Sequence, residues 1–154
     1  MMPHIHLIFG MTCLNAFQSS GLTQLNAILF LIGNLIPDSD FIIARKLKRN
    51  HREMGSHYPL LWLMAGILSM ILQLPVLWFF WGGFFHVILD TLDWEVILFG
   101  PLLPYSFSIL SLQYTADFET YTIVQILREY YSDKRILFLE AIFFLVYVLS
   151  LLTR

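Results

Sequence analysis

The sequence predicts an all-α fold: a membrane-embedded bundle of short helical hairpins with its polar residues gathered at one end. Three observations predict it. Of 154 residues, 58% are hydrophobic and 13% are charged, against about 25% charged in an ordinary soluble domain. Charge is missing over whole segments: residues 1–37, 54–89, 96–116 and 141–153 contain no Asp, Glu, Lys or Arg. Turn-forming residues cut these segments into pieces of helical length. The composition excludes a disordered chain, a basic nucleic-acid-binding domain and a free cytosolic globule, and makes a lipid bilayer the expected solvent. The length fits one domain over 1–154. Cys13 is alone, so there is no internal disulfide. Residues 1–17 lack the Lys or Arg and the cleavage pattern of a secretory signal, so these apolar segments are expected in the mature protein.

Ser19-Ser20-Gly21 separates a first apolar segment, 5–18, from a second, 22–36. Gly supplies positive φ and Ser competes for backbone hydrogen bonds, so such a cluster reads as a turn. Pro37 ends the second segment, and a polar loop, 38–58, follows. Five of the nine basic residues, Arg45, Lys46, Lys48, Arg49 and Arg52, fall in that loop, which the positive-inside rule places on the cytoplasmic side of the membrane.

Residues 59–92 are long enough for one kinked span or two short helices. Gln73-Leu74-Pro75 favours a break, because proline lacks a helical donor and disfavours αR at the residue before it. Helices over 60–73 and 76–92 would span roughly 21 and 25 Å, short of a hydrocarbon core of about 30 Å. Trp78 and Trp81 would then lie near the tip, with Tyr58, Trp62 and Trp94 near the base. Segment 96–113, interrupted by Gly100, Pro101 and Pro104, is expected to be re-entrant or broken. If it crosses once, residues 114–135 lie on the opposite side from the loop. Residues 117–131 read as an amphipathic interfacial helix, and 136–153 as a transmembrane helix with Glu140 one turn in.

Two hairpins have a consequence for the ionisable residues. The turn at 19–21 returns the chain from His6 to Asp38 and Asp40, and the break near Pro75 returns it from His57 to His86 and Asp90. With His51 in the loop, all seven residues converge on one end; a single span over 59–92 would put His86 and Asp90 on the other side. His86 and Asp90 are four apart and share a helical face. Asp38 and Asp40 follow Pro37 in a turn or first helical turn, and Ser56 would cap the next helix just before His57. Imidazole and carboxylate are the donors of zinc and similar first-row ions. Ionisable groups inside apolar segments cost about 2.5–3.5 kcal/mol each on insertion scales and are usually functional. The same residues have plainer uses. His4 reads as a hydrogen-bonded structural residue, Asp38 and Asp40 as helix caps, and His51, Asp93 and Glu95 as solvated surface.

The motifs, taken in order, resemble a known family. His6-Leu7-Ile8-Phe9, Leu35-Ile36-Pro37-Asp38-Ser39-Asp40, His51-Arg52-Glu53-Met54-Gly55-Ser56-His57 and Phe85-His86-Val87-Ile88-Leu89-Asp90, with Gly100-Pro101 beyond, are similar to those of the inner-membrane-bound metal-dependent hydrolases. Some members of that family are described as LexA-binding, and it is grouped distantly with zinc-dependent phospholipase C. The resemblance covers residues 6–104 and leaves everything beyond 104 uninformed. It departs at Ile5, where the family has Gly, at Ser56 for Thr, and at Asp93-Trp94-Glu95 in place of a Thr/Pro/Gly-rich turn.

The resemblance implies a site of His6, Asp38, Asp40, His51, His57, His86 and Asp90 around one or more divalent ions, zinc above all. It implies that His86, Asp90 and one of Asp38 and Asp40 ligate metal, with the aspartates able to bridge two ions and Asp93 or Glu95 able to add a ligand. Asp40 would serve as general base or bridging ligand, and Arg52 would hold an anionic group. The implied reaction is hydrolysis of a phosphate ester, a phospholipid or another lipid-associated substrate. The alternative is a non-catalytic membrane protein whose cluster binds a metal or partner structurally. A transporter is disfavoured, because the polar groups sit at one face rather than at the midplane.

Overall fold

The computed structural model describes residues 2–17, 21–47, 54–110 and 123–152. His51 and Arg52, and residues 117–122 of the expected amphipathic helix, lie outside them. The described chain is mostly helical: α1 (Pro3–Phe17), α2 (Gln24–Leu35), a 3-10 turn (Pro37–Asp40), α3 (Phe41–Leu47), a second 3-10 turn (Gly55–His57), α4 (Pro59–Ile71), α5 (Leu77–Asp90), α6 (Ile123–Tyr130) and α7 (Lys134–Leu152). Both predicted hairpins form. Thr23 caps α2 by accepting from the Asn26 N–H at 3.3 Å. Pro59 occupies the first turn of α4, where its missing N–H costs nothing. After α4 the chain reverses at Gln73, in the left-handed region with φ 53°. The Leu74 N–H then returns to the Ser69 carbonyl at 2.9 Å, and Pro75 blocks any continuation of the helix.

α2 and α5 form the tightest seam, and two glycines make it possible. A Cβ on Gly82 would lie 2.1 Å from the Phe30 carbonyl oxygen, and one on Gly33 would lie 1.9 Å from that of Phe79. The two backbones therefore meet with no side chain between them. Phe30 is fully buried beside this seam, between Trp78 and Phe85. α1 and α7 form a second seam and run parallel: His4 faces Glu140 at one end, and Asn15 Nδ2 donates to Ser150 Oγ at the other. Phe9 meets Phe143 edge-on between them.

The alternatives open for 96–113 are resolved, and one expectation, the cap at Ser56, needs correction. Residues 96–107 neither run helically nor cross; they fold back as an antiparallel pair, β1 (Val96–Ile97) with β2 (Ser106–Phe107). Pro101 and Pro104 deny a helix its donors there, and a two-residue strand leaves no periodicity to read. The Ile109 and Leu110 N–H groups then bond the Thr91 and Leu92 carbonyls at 2.7 and 3.1 Å, which brings the chain back to the end it left. As a result α7 starts at the same end as His4 and His6, not the opposite one. Ser56 is no helix cap: it lies in the 3-10 turn, and Tyr58 takes the cap position of α4.

Apolar side chains cover the outside. Leu25, Ile28, Met64, Ile71, Phe138, Phe144 and Leu145 are all exposed. Among the described residues α7 is the one helix long and apolar enough to cross a membrane, while α2, α4 and α5 are shorter apolar helices.

Candidate metal centre

Four elements deliver polar side chains to one place. α5 carries His86 and Asp90 one turn apart on its buried face. Pro37 starts the 3-10 turn that bears Asp38 and Asp40. The Gly55–His57 turn sets His57 at the mouth of α4, and the first turn of α1 supplies His6. His6, His57, His86 and Asp90 have no exposed surface, while the Asp38 side chain keeps 15% exposure and borders the open side.

One ligand atom from each of Asp38, His57, His86 and Asp90 lies within 4.8 Å of the other three, a group that could hold a metal ion. His86 Nε2 is 3.5 Å from Asp38 Oδ1 and 3.5 Å from Asp90 Oδ2. His57 Nε2 is 3.9 Å from Asp38 Oδ1 and 3.7 Å from Asp90 Oδ2. These separations exceed hydrogen-bond length. They are close to the ~3.4 Å edge of a tetrahedron whose corners lie about 2.1 Å from a zinc-sized ion, so the donor set fits such a cation.

The surrounding contacts aim the donors. His86 Nδ1–H donates to the Asn34 backbone carbonyl at 2.6 Å, which leaves Nε2 with its lone pair toward the group. His57 Nδ1 faces Asp40 Oδ2 at 3.3 Å, and Ser56 Oγ donates to that same oxygen. His6 Nε2 donates to Asp90 Oδ1 at 3.1 Å, so Oδ2 is the oxygen turned to His57 and His86. The His6 and His86 rings stack with centroids 3.7 Å apart. Three carboxylates paired with histidines in so dry a place carry a large desolvation cost, which a cation would offset.

The geometry brings together six of the seven residues expected from the sequence, and His51 lies outside the described residues with Arg52. His6 and Asp40 stand behind the four-donor group, where they orient Asp90 and His57. Asp93 is not solvated surface: it is fully buried and accepts from the Tyr130 hydroxyl at 3.3 Å. Glu95, exposed, accepts from Ser106. Neither belongs to the four-donor group. Asn34 was not expected at the site, because it acts there through its backbone carbonyl. Ser56 was noticed for the wrong role. His4 is half-exposed, 3.5 Å from both Glu140 Oε2 and the Tyr131 hydroxyl. Burial, and then the charge of and hydrogen bond to Glu140, push the Tyr131 hydroxyl up.

The family model described as YdjM inner membrane protein matches residues 1–154. No curated protein and no solved structure matches the chain.

Proposed function

The chain belongs to the YdjM inner membrane protein family, and from that premise we propose an integral membrane protein that holds zinc and hydrolyses a lipid-associated phosphate ester. The four-donor group of Asp38, His57, His86 and Asp90 carries the reading. The motif resemblance supplies the reaction class, which the fold alone would not.

In this proposal the chain's own groups fix the donors. The Asn34 carbonyl holds the proton of His86 on Nδ1, Asp40 places its charge 3.3 Å from His57 Nδ1, and His6 fixes which Asp90 oxygen faces inward. A bound divalent ion would supply a water of lowered pKa and polarise a phosphoryl oxygen. Asp38, the least buried of the four, borders the side from which substrate enters. Arg52, on the strength of its motif, holds an anionic oxygen. The packed walls of α2 and α5 exclude bulk water.

Orientation follows from charge. Arg45, Lys46, Lys48, Arg49, Arg52, Arg128, Lys134 and Arg135 belong to segments that begin or end at the site end, and only Arg154 follows α7. That asymmetry supports a cytoplasmic site.

The test is metal analysis of protein purified in detergent without chelators. Wild type should retain zinc, and His86→Ala and Asp90→Ala should lose it; a metal-free wild type would sink the proposal. Phosphodiester and phospholipid panels then test hydrolysis, which chelation should abolish and zinc restore. One observation favours a structural centre instead: His57, His86 and Asp90 are fully buried, as in closed sites. On that reading chelation lowers the unfolding temperature and no substrate turns over.

A further inference from the structure

The β1–β2 segment carries surface that the metal centre does not use. Leu102 is 74% exposed, and Phe99, Leu103, Tyr105, Phe107 and Ile109 are exposed beside it. No charged residue occurs over 96–116. An apolar patch of this kind has a partner, and two features identify which.

The first is the backbone. The Leu98 N–H donates to the Tyr105 carbonyl, that of Gly100 to Ile97, and those of Leu102 and Leu103 to Phe99, at 2.8–3.3 Å. Pro101 and Pro104 have no N–H to satisfy. From Gly100 to Pro104, therefore, every N–H is bonded inside the loop or missing. Such a segment brings no unmet donor to the water-poor lipid interface, where one would cost several kcal/mol.

The second is height. Arg135 Nη1 reaches the Leu110 carbonyl at 3.4 Å, so the segment ends beside the first turn of α7. Lys134 and Arg135 in that turn mark the phosphate level of a span. The loop's inner side is fixed as well: a Cβ on Gly100 would lie 2.6 Å from the ring of Tyr58, the residue after His57, so that ring packs directly on Gly100.

We propose that residues 98–105 insert into the bilayer leaflet on the side of the metal centre and hold the centre's rim at the level of the lipid phosphates. The proposal rests on α7 being a span and goes beyond the assignment of metal and reaction. A lipid phosphate could then reach Asp38 without leaving its leaflet.

Spin labels test it in the full-length chain reconstituted in phosphatidylglycerol/phosphatidylethanolamine vesicles, on a Cys13→Ala background. Leu102→Cys is compared with Phe144→Cys, which faces outward midway along α7; Leu103→Cys is a second loop position should the first fail to fold. The expected result is collision with oxygen several-fold above collision with a water-soluble nickel chelate at both loop and span. A loop label open to the chelate while Phe144→Cys remains protected overturns the loop's insertion and leaves the span standing. Chelate access at Phe144→Cys overturns the span, and the loop's assignment with it.

Discussion

α5 and α7 are both built almost wholly of apolar residues, and they use them in opposite ways. α5 buries Gly82, Gly83, His86, Val87, Leu89 and Asp90 against its neighbours, whereas among the buried residues of α7 stands Ile136 alone. Each carries one carboxylate. Asp90 has no exposed surface and touches three histidines; Glu140 faces His4 at the edge of the bundle. Apolar composition therefore does not mean interior here. In the proposed membrane setting lipid would satisfy the apolar residues of α7, and the interior would be free to hold the polar residues that lipid cannot accept.

The strongest way to break this contrast is to thicken α5 at its seam. Gly82→Leu should cost more than about 3 kcal/mol, since the added side chain meets the Phe30 carbonyl and nothing can yield. Phe144→Leu in α7 should stay within about 0.5 kcal/mol. Thermal unfolding in detergent reads both, and a mild Gly82→Leu would show that the seam is looser than described.

The two carboxylates give the next test. Asp90→Asn should lower zinc affinity more than about 100-fold, beyond the range typical of outer-shell changes, whereas Glu140→Gln should leave it unchanged. Equal effects would erase the distinction between inward and outward helix. Asp40→Asn should fall between them, at about 10–100-fold, because it removes the negative charge 3.3 Å from His57 Nδ1 without removing a metal ligand. Competition with a zinc chelator measures all three.

The smallest effects lie at the entrances to the two helices. Before α5, Gln73 pays a left-handed penalty that glycine avoids, so Gln73→Gly should stabilise by about 1 kcal/mol. Before α7, Asp133 accepts from the Arg135 N–H at 2.8 Å and pairs with its guanidinium. The Arg135 hydrogen bonds hold the Asp133 carboxyl below the usual carboxylate range. A depressed acid stabilises the fold fully above its unfolded pKa of about 3.9 and loses that contribution as pH falls through the folded value. The unfolding temperature of wild type should thus converge on that of Asp133→Asn in strong acid and exceed it slightly at neutral pH.

What the sequence disclosed, and what it hid, divides along physical lines. The α1–α2 and α4–α5 hairpins were legible because Gly21, Pro37 and Pro75 act on their own backbone. The gathering of His6, Asp38, Asp40, His57, His86 and Asp90 followed from those turns without any knowledge of packing. The role of Asn34 stayed hidden, since the group that fixes His86 is a backbone carbonyl and carries no side-chain signature. The burial of Asp93 depends on Tyr130, far along the chain, and the turn at 96–107 rests on two pairs of strand residues. The end at which α7 starts stayed open for the same reason: it depends on whether 96–113 crosses or folds back.

The parallel seam between α1 and α7 sets an order of events. α1 leaves the ribosome long before α7, so the helix that brings His6 to Asp90 must wait for its last neighbour while the intervening chain is made and folded. Contacts of such sequence separation are slow to close, because the entropy of the loop is lost before the contact repays it. During that interval α2, α4 and α5 can already meet, with their histidines and aspartates assembled but one wall absent. The wall of the centre that carries His6 is thus the last to gain its full packing.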